Sequence, residues 1–123
     1  MHYRIGTRGS KLALVQSEYV KRRMEEAYPE DTFELVIIKT TGDKVTDKPL
    51  AAIGTKGLFV KEIEEELLSG SIDMAVHSMK DMPAECETGL TFAKAWKRED
   101  CRDVLILKTA GSFSELPSGA VIG

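Results

Sequence analysis

The first 38 residues follow a strand, helix, strand order, and this order limits the possible folds more than any other feature of the chain. Residues 3–8 predict a short strand that leads through Gly6 into the polar segment Thr7-Arg8-Gly9-Ser10. Ser10 stands where a helix N-cap is expected, and Pro29 closes the helix that follows. The apolar residues that recur at helical spacing are Leu12, Val15, Tyr19, Val20, Met24 and Ala27. With a β-branched strand at 33–38, the segment predicts the opening of a parallel α/β sheet.

A second helix and strand follow a long polar loop. Residues 40–56 show neither helical nor strand periodicity, and loops of this length in compact domains are usually functional lids or disordered links. A helix is predicted from Leu58 to Leu68, with Gly70 as its stop. Its inward side chains are predicted to be Leu58, Val60, Ile63, Leu67 and Leu68. A third predicted strand, at 72–77, leads into the polar turn Ser78-Met79-Lys80-Asp81.

The last third of the chain predicts three further strands, at 90–96, 104–107 and 120–122. A charged link occupies 97–100, and a short helical turn precedes the final strand. An apolar strand that stops at Gly123 is atypical of a complete domain, so the chain is expected to be truncated within a larger protein.

The composition argues against several functions. With 17 basic and 20 acidic residues the net charge is -3, which does not fit a general binder of nucleic acid or anionic membranes. The chain has no apolar run near the roughly 18 to 20 residues that cross a bilayer and no signal-peptide pattern, so a cytoplasmic protein is expected. The two cysteines, Cys86 and Cys101, and the two histidines, His2 and His77, lack metal-ligand spacing, and no metal site is predicted.

Two polar segments come directly after predicted strands. The first provides Arg8 and Ser10, and the second provides Ser78, Lys80 and Asp81. Each segment alone also fits a structural role, as a serine cap beside an exposed arginine or as a solvated charged turn. Ligands in open α/β sheets bind outside the carboxyl ends of the strands. Together the segments therefore predict a site for a polyanionic ligand, with one carboxylate kept for acid or charge-stabilising work.

A nucleotide-binding P-loop is not predicted. The segment Gly54-Thr55-Lys56-Gly57 lacks the earlier glycine of that motif, and its lysine is followed by glycine rather than by serine or threonine. Phe59 opens the second helix, and its position alone fits a core side chain better than a ligand-facing one.

Four segments of the chain resemble the porphobilinogen deaminase family. They are RIGTRGSKLALVQ at 4–16, GLFVKEIE at 57–64, DMAVHSMKDMP at 73–83 and REDCRD at 98–103. In the last of these, Cys101 stands where the family usually has proline. The resemblance covers essentially the whole chain in collinear order.

The resemblance implies an α/β fold of the type-2 periplasmic-binding-protein-like class, with a mixed sheet flanked by helices, truncated within a multi-domain enzyme. Domain 1 would span residues 1–96 and hold a substrate and cofactor cleft beneath a lid at 40–56. Residues 97–123 would be a linker and the start of an incomplete domain 2.

The implied activity is hydroxymethylbilane synthesis, in which four porphobilinogen molecules are joined head to tail with loss of ammonia at each step. The growing chain is carried on a dipyrromethane cofactor, which is bound covalently to a cysteine outside this chain. By motif matching, Asp81 would be catalytic and would stabilise the positive charge left when ammonia departs. Arg8 and Ser10 would hold carboxylates of substrate or cofactor, and Ser78 and Lys80 would anchor the cofactor.

Two further positions receive supporting roles from the resemblance. Gln16 would support the site, and Phe59 would stack near the incoming ring. Ala52 stands in the predicted lid where some members have lysine, so no ligand contact is predicted there.

Neither Cys86 nor Cys101 lies in the family's cofactor-attachment pattern, so the isolated chain is expected to be inactive. The protein it comes from is expected to be a monomer.

A non-enzymatic anion-binding module is the competing hypothesis, because it would share the fold and the strand-end site. Asp81 distinguishes the enzyme from the anion-binding module. A module that only binds carboxylates gains nothing from a carboxylate in its pocket, whereas an enzyme that stabilises a cation does. A purely structural domain would need neither the lid nor the clustered charges.

Overall fold

The computed structural model describes residues 1–44, 59–98, 100–108 and 111–122. They belong to two compact units, Met1–Phe92 and Ala93–Gly123. The first unit contains, in chain order, β1 (His2–Thr7), α1 (Lys11–Ala27), β2 (Thr32–Ile37), α2 (Thr41–Lys44), α3 (Lys61–Leu68) and β3 (Met74–Ala75). A 3-10 turn at Met79–Asp81 follows β3.

The three strands form a parallel sheet in the order β2-β1-β3. Ile5 of β1 pairs with Leu35 on one side and with Met74 on the other. Because β1 is central, its second half is buried, as is typical of strands in parallel sheets covered by helices. The predicted parallel opening is confirmed. The mixed sheet is not seen among the described residues, where all three strands run parallel.

α1 begins at the predicted cap and turns a small-residue face to the sheet. The Ser10 hydroxyl accepts a hydrogen bond from the Ala13 N–H at 3.3 Å, and the fully buried Ser17 donates to the Thr7 hydroxyl at 2.7 Å. Val20 and Met24, two of the apolar residues that recur at helical spacing, are half-buried.

Leu12, Val15 and Tyr19 recur at helical spacing but do not face the core. Leu12 is 54% exposed and Val15 is 69% exposed. Helical spacing shows which side chains lie on one face of a helix, but it does not show which face packs against the sheet. Here the opposite stripe makes that contact, because the small Ser17 allows α1 to approach β1 closely enough for its hydroxyl bond.

The core of the first unit lies where α1 and α3 pack on the sheet. Its fully or almost fully buried apolar side chains are Ile5, Phe33, Val60, Ile63 and Ile72. Val60 and Ile63 were predicted to face inward, and this is confirmed. Leu68 was predicted inward as well, but it lies on the last turn of α3 and is 51% exposed, while Leu58 lies outside the described residues. Gly70, with a φ of 75°, ends the helix in the left-handed conformation that favours glycine.

β3 is much shorter than the predicted strand at 72–77. It pairs with β1 through two residues, flanked by bonds from the Asp73 N–H to the Arg4 carbonyl at 3.0 Å and from the Val76 N–H to the Gly6 carbonyl at 3.1 Å. β1 itself ends at Thr7. The ladder therefore stops at Val76, and the chain is free to turn at Ser78.

The second unit shows none of the predicted strands among its described residues, and the predicted strand at 90–96 is absent too. A 3-10 turn at Phe113–Glu115 is its one helical feature within that part. Val104 is 83% exposed and Ile106 is 90% exposed. Apolar, β-branched residues favour extended backbone, but a strand also needs a neighbour to complete its hydrogen-bond ladder. The predicted domain boundary after residue 96 stays a prediction. Across the described residues, the structure has no helix both long and apolar enough to span a membrane.

Replacement of Ile63 by alanine is expected to lower the free energy of unfolding of the full-length protein by about 2 to 5 kcal/mol, because the side chain is fully buried. Leu68→Ala, on the same helix, is the matched control and should cost about 1 kcal/mol or less, since half of that side chain is already in water. Urea titration measures both. Equal costs would contradict the assignment of the buried face of α3.

Candidate functional site

The carboxyl ends of β1 and β3 open onto one cleft. The two strands are parallel neighbours, so the residues that follow them emerge at the same edge of the sheet. A cavity of about 240 Å³ lies there. All seven residues predicted to form the site line it: Arg8, Ser10, Gln16, Phe59, Ser78, Lys80 and Asp81. The structure thus brings together side chains that lie up to 73 positions apart, and their individual roles remain predictions.

Arg8 is the central side chain of the cleft. Its Nε and Nη2 donate to Oδ1 of Asp43 at 3.2 and 2.6 Å. Its Nη1 lies 3.8 Å from Oδ2 of Asp81, which is an ion-pair distance but too long for a hydrogen bond. Its guanidinium carbon lies 3.9 Å from the centre of the Phe59 ring, in cation–π contact. One cation therefore holds two carboxylates and an aromatic ring in place.

Asp43 is a member of this cluster that sequence reasoning missed. Its Oδ2 accepts hydrogen bonds from the Thr40 N–H at 3.2 Å and from the Thr40 hydroxyl at 2.8 Å. Burial opposes ionisation, but hydrogen bonds from Arg8 and Thr40 outweigh it and hold the pKa of Asp43 below its usual value. A signal was present, because threonine followed three positions later by an acidic residue is a capping-box pattern, and α2 begins at Thr41.

Phe59 is half-buried and lies between α2 and Arg8. A Cβ atom placed on Gly42 would come within 2.2 to 2.8 Å of three Phe59 ring atoms, so the ring rests directly on that glycine. Its position at the cleft differs from the core role that sequence position alone favoured.

Ser78 and Gln16 connect the two walls of the cleft. The Ser78 hydroxyl donates to the Gln16 side-chain carbonyl at 2.8 Å, which ties the turn after β3 to α1. Ser10 combines a place in the cleft wall with its capping bond to α1. Each of these residues is therefore both structural and available to a ligand at the surface of the cleft.

Asp81 and Lys80 are set by the 3-10 turn at Met79–Asp81. The Asp81 N–H bonds the Ser78 carbonyl at 3.0 Å, which closes the turn and directs the Asp81 carboxylate toward Arg8. The Asp81 side chain is partly buried, whereas Lys80 is exposed at the rim. The cleft thus combines two cations, hydroxyl groups and a single carboxylate that is only loosely paired.

His77 also lines the cleft and was not predicted to do so. Burial lowers the pKa of His77, the charge of Asp81 opposes this, and the charge of Arg8 reinforces it. The lowered pKa favours the neutral imidazole. Its place as the last residue of the predicted strand was the available signal.

The described residues contain no group of three or more histidine, cysteine, aspartate or glutamate side chains placed to hold a metal ion. Both cysteines are free, Cys86 half-buried and Cys101 exposed, and neither lines the cleft.

The fold and the site define an α/β domain with a cleft at the carboxyl ends of its strands, lined by two cations, hydroxyl groups and a carboxylate. The chain belongs to the porphobilinogen deaminase family, since residues 3–123 match the family model described as porphobilinogen deaminase, dipyromethane cofactor binding domain. It is 97% identical, over its whole length, to the porphobilinogen deaminase of Lachnospira eligens. It is 56% identical to that of Clostridioides difficile, again over the whole chain, and 57% identical over 98% of the chain to that of Syntrophus aciditrophicus. The chain spans 42%, 41% and 39% of these relatives.

Gly42→Ala is expected to displace the Phe59 ring and to lower the free energy of unfolding by about 1 to 3 kcal/mol, because the added methyl group overlaps the ring. The control is the same substitution in a Phe59→Ala background, where the overlap is gone and the cost should be much smaller. Thermal and urea unfolding measure both. Equal costs in the two backgrounds would place the strain elsewhere.

The stability contributed by the Asp43 carboxylate is expected to depend on pH. Its pKa is lowered in the folded state, so the contribution is fully present above the ordinary aspartate pKa of about 3.9 and is lost as the pH falls through the folded value. The difference in unfolding free energy between wild type and Asp43→Asn should therefore shrink as the pH falls from about 6 to 3. An Arg8→Ala background, which removes one source of the lowered pKa, should show a smaller difference throughout. A difference that grows on acidification would contradict the assignment.

Proposed function

We propose that this chain supplies the cofactor and substrate cleft of a hydroxymethylbilane synthase. The enzyme condenses four porphobilinogen molecules head to tail, with release of ammonia at each step, into a linear tetrapyrrole. The observation that carries the proposal is the convergence of Arg8, Lys80 and Asp81 from two adjacent strand ends in one cleft. Membership of the porphobilinogen deaminase family supports it.

The cations and hydroxyl groups of the cleft suit the carboxylates of the substrate. Each porphobilinogen ring carries an acetate and a propionate group, so binding needs donors spread over the length of a pyrrole. Arg8 offers a planar set of N–H donors that matches a carboxylate, and Lys80 offers a mobile positive charge at the rim. Ser10 adds a hydroxyl donor on one wall of the cleft, and on the opposite wall the Ser78 hydroxyl would donate to a ligand in place of its bond to Gln16.

Asp81 is proposed as the catalytic residue. Departure of ammonia from the aminomethyl group leaves a positive charge that is shared with the pyrrole nitrogen. A carboxylate already fixed by its turn and by Arg8 stabilises this charge without having to reorganise. The 3.8 Å separation from Arg8 leaves the carboxylate oxygens able to accept a hydrogen bond from a pyrrole N–H.

The residues present fit the dipyrromethane cofactor that the family's domain binds. That cofactor is itself a carboxylate-bearing pair of pyrroles, and when bound it supplies the ring to which the first substrate is joined. Ser78 and Lys80 would hold its carboxylates, and Ser78 would do so by turning its one hydroxyl hydrogen from the Gln16 side-chain carbonyl to the carboxylate. Phe59 would present an apolar face to a ring in the cleft. The cysteine that carries the cofactor is proposed to lie outside this chain.

We also propose a more specific fold class for this domain. A three-stranded parallel sheet, covered by helices and with its cleft at the strand ends, supports a type-2 periplasmic-binding-protein-like domain. We propose further that the enzyme is a monomer of the cytoplasm.

Asp81→Ala is expected to lower kcat for porphobilinogen consumption by the full-length protein by at least about 100-fold, because it removes the group that stabilises the developing charge. Asp81→Asn should be similarly impaired, since it keeps the shape but not the charge. The cofactor content of both variants should stay at the wild-type level, which absorbance after reaction with an aldehyde reagent would show. Asp31→Ala, at the other end of the sheet before β2, is the control and should be fully active.

Normal turnover by Asp81→Ala would remove Asp81 from the mechanism. Binding of porphobilinogen by the wild type without consumption would instead support the non-catalytic anion-binding module.

A further inference from the structure

We propose that Asp43 is a positioning residue that determines which edge of the Arg8 guanidinium meets a ligand carboxylate. The inference rests on the proposed function, in which Arg8 binds carboxylates of the substrate or cofactor. Asp43 has no part in the chemistry proposed above, yet it makes the shortest contact that Arg8 has among the described residues.

The contacts of Arg8 divide its guanidinium into used and available parts. The edge formed by Nε and Nη2 faces Asp43, with both nitrogens donating to Oδ1. One face of the group lies over the Phe59 ring at 3.9 Å. Nη1 points instead toward Asp81, which lies beyond hydrogen-bond distance at 3.8 Å. The outer edge, formed by Nη1 and the remaining Nη2 hydrogen, is therefore the edge directed to a carboxylate in the cleft.

Asp43 can direct Arg8 because it is itself held. Thr40 has no exposed surface, and it donates to Asp43 through both its backbone N–H and its hydroxyl. The next residue, Thr41, donates its backbone N–H to a Glu62 carboxylate oxygen at 2.7 Å, and its hydroxyl contacts the same oxygen. Glu62 lies on α3, whose Ile63 is in the core. The orientation of Arg8 is therefore fixed relative to the core of the domain by a chain of contacts that runs through α2.

This arrangement has a consequence for where the ligand lies. A carboxylate bound at the outer edge of Arg8 contacts Nη1, the nitrogen that faces Asp81, and so lies on the same side of the guanidinium as Asp81. A carboxylate bound at the edge now taken by Asp43 would lie on the far side of the guanidinium from Asp81. Asp43 therefore excludes the binding mode that would hold the ring away from the catalytic carboxylate.

A different role for Asp43 makes the opposite prediction. If Asp43 only occupied Arg8 until a ligand carboxylate displaced it, removal of Asp43 would free the guanidinium, and porphobilinogen would bind more tightly. If Asp43 positions Arg8, its removal lets the side chain leave the productive orientation, and binding becomes weaker. The direction of the change in KM separates the two roles.

The experiment is a double-mutant cycle in the full-length protein, with KM and kcat for porphobilinogen measured for wild type, Asp43→Ala, Arg8→Ala and the double variant. Asp43→Ala is expected to raise KM about ten-fold and to change kcat by less than about three-fold. In the Arg8→Ala background, Asp43→Ala should raise KM no further, because its effect passes through Arg8. Asp43→Asn keeps the shape and one acceptor oxygen, so it should give a smaller rise, and it decides the question if the alanine variant does not fold.

Asp73→Ala is the matched control. Asp73 pairs with Arg4 of β1 through the same guanidinium edge that Arg8 presents to Asp43. Arg4 Nε donates to Oδ2 of Asp73 at 3.1 Å and Nη2 donates to Oδ1 at 3.0 Å, but neither residue lines the cleft. Loss of this pair should lower the unfolding midpoint and leave KM unchanged, which separates positioning from general loss of stability.

A rise in KM that depends on Arg8 supports the inference. An unchanged or lower KM, or the same rise in the Arg8→Ala background, overturns it while the proposed function stands. A wild-type protein that consumes no porphobilinogen overturns the proposed function and this inference with it.

Discussion

β1 is hydrogen-bonded along both of its edges, to β2 and to β3, and this double pairing determines where the chain leaves the sheet at Arg8. A central strand in a parallel sheet cannot shift along its axis without breaking both ladders. The buried Thr7 adds a side-chain anchor to α1 through Ser17. Arg8 therefore begins from a backbone position that the core itself holds, and the cleft is organised around it.

The charges of the cleft are balanced unevenly. Arg8 lies close to Asp43, at 2.6 Å, and farther from Asp81, at 3.8 Å. The short contact stabilises the folded arrangement, because the hydrogen bonds from Arg8 and Thr40 outweigh the cost of burying the Asp43 charge. The longer contact leaves a carboxylate whose polar atoms are still available to a ligand. Asp43 and Asp81 can therefore have different roles beside Arg8, because their distances from Arg8 and their supporting hydrogen bonds differ.

Residues with strong local signals were predicted correctly, and those that depend on distant neighbours were not. Ser10 caps α1 and Gly70 ends α3, because capping and left-handed backbone are local properties of these residue types. The helical spacing of Leu12 and Val15 did not show whether their face of α1 is buried, since only the docking of the helix on β1 selects the buried stripe. The apolar segment around Val104 and Ile106 has the composition of a strand, but a strand is completed by its partner and not by its own residues.

The candidate site shows the same division between local properties of the sequence and contacts that only the fold provides. The sequence by itself determined the chemical groups, because the order of strand and polar turn predicts that Arg8, Ser78, Lys80 and Asp81 gather at one sheet edge. The tertiary structure alone decided how those groups are used, since the two strand ends meet only when β1 and β3 become neighbours. It also added Asp43, which the docking of α2 brings to Arg8, and His77, which lines the cleft beyond the short β3. Hydrogen bonds and ion pairs require separations of about 3 to 4 Å, and for residues far apart in the chain only the fold sets such distances.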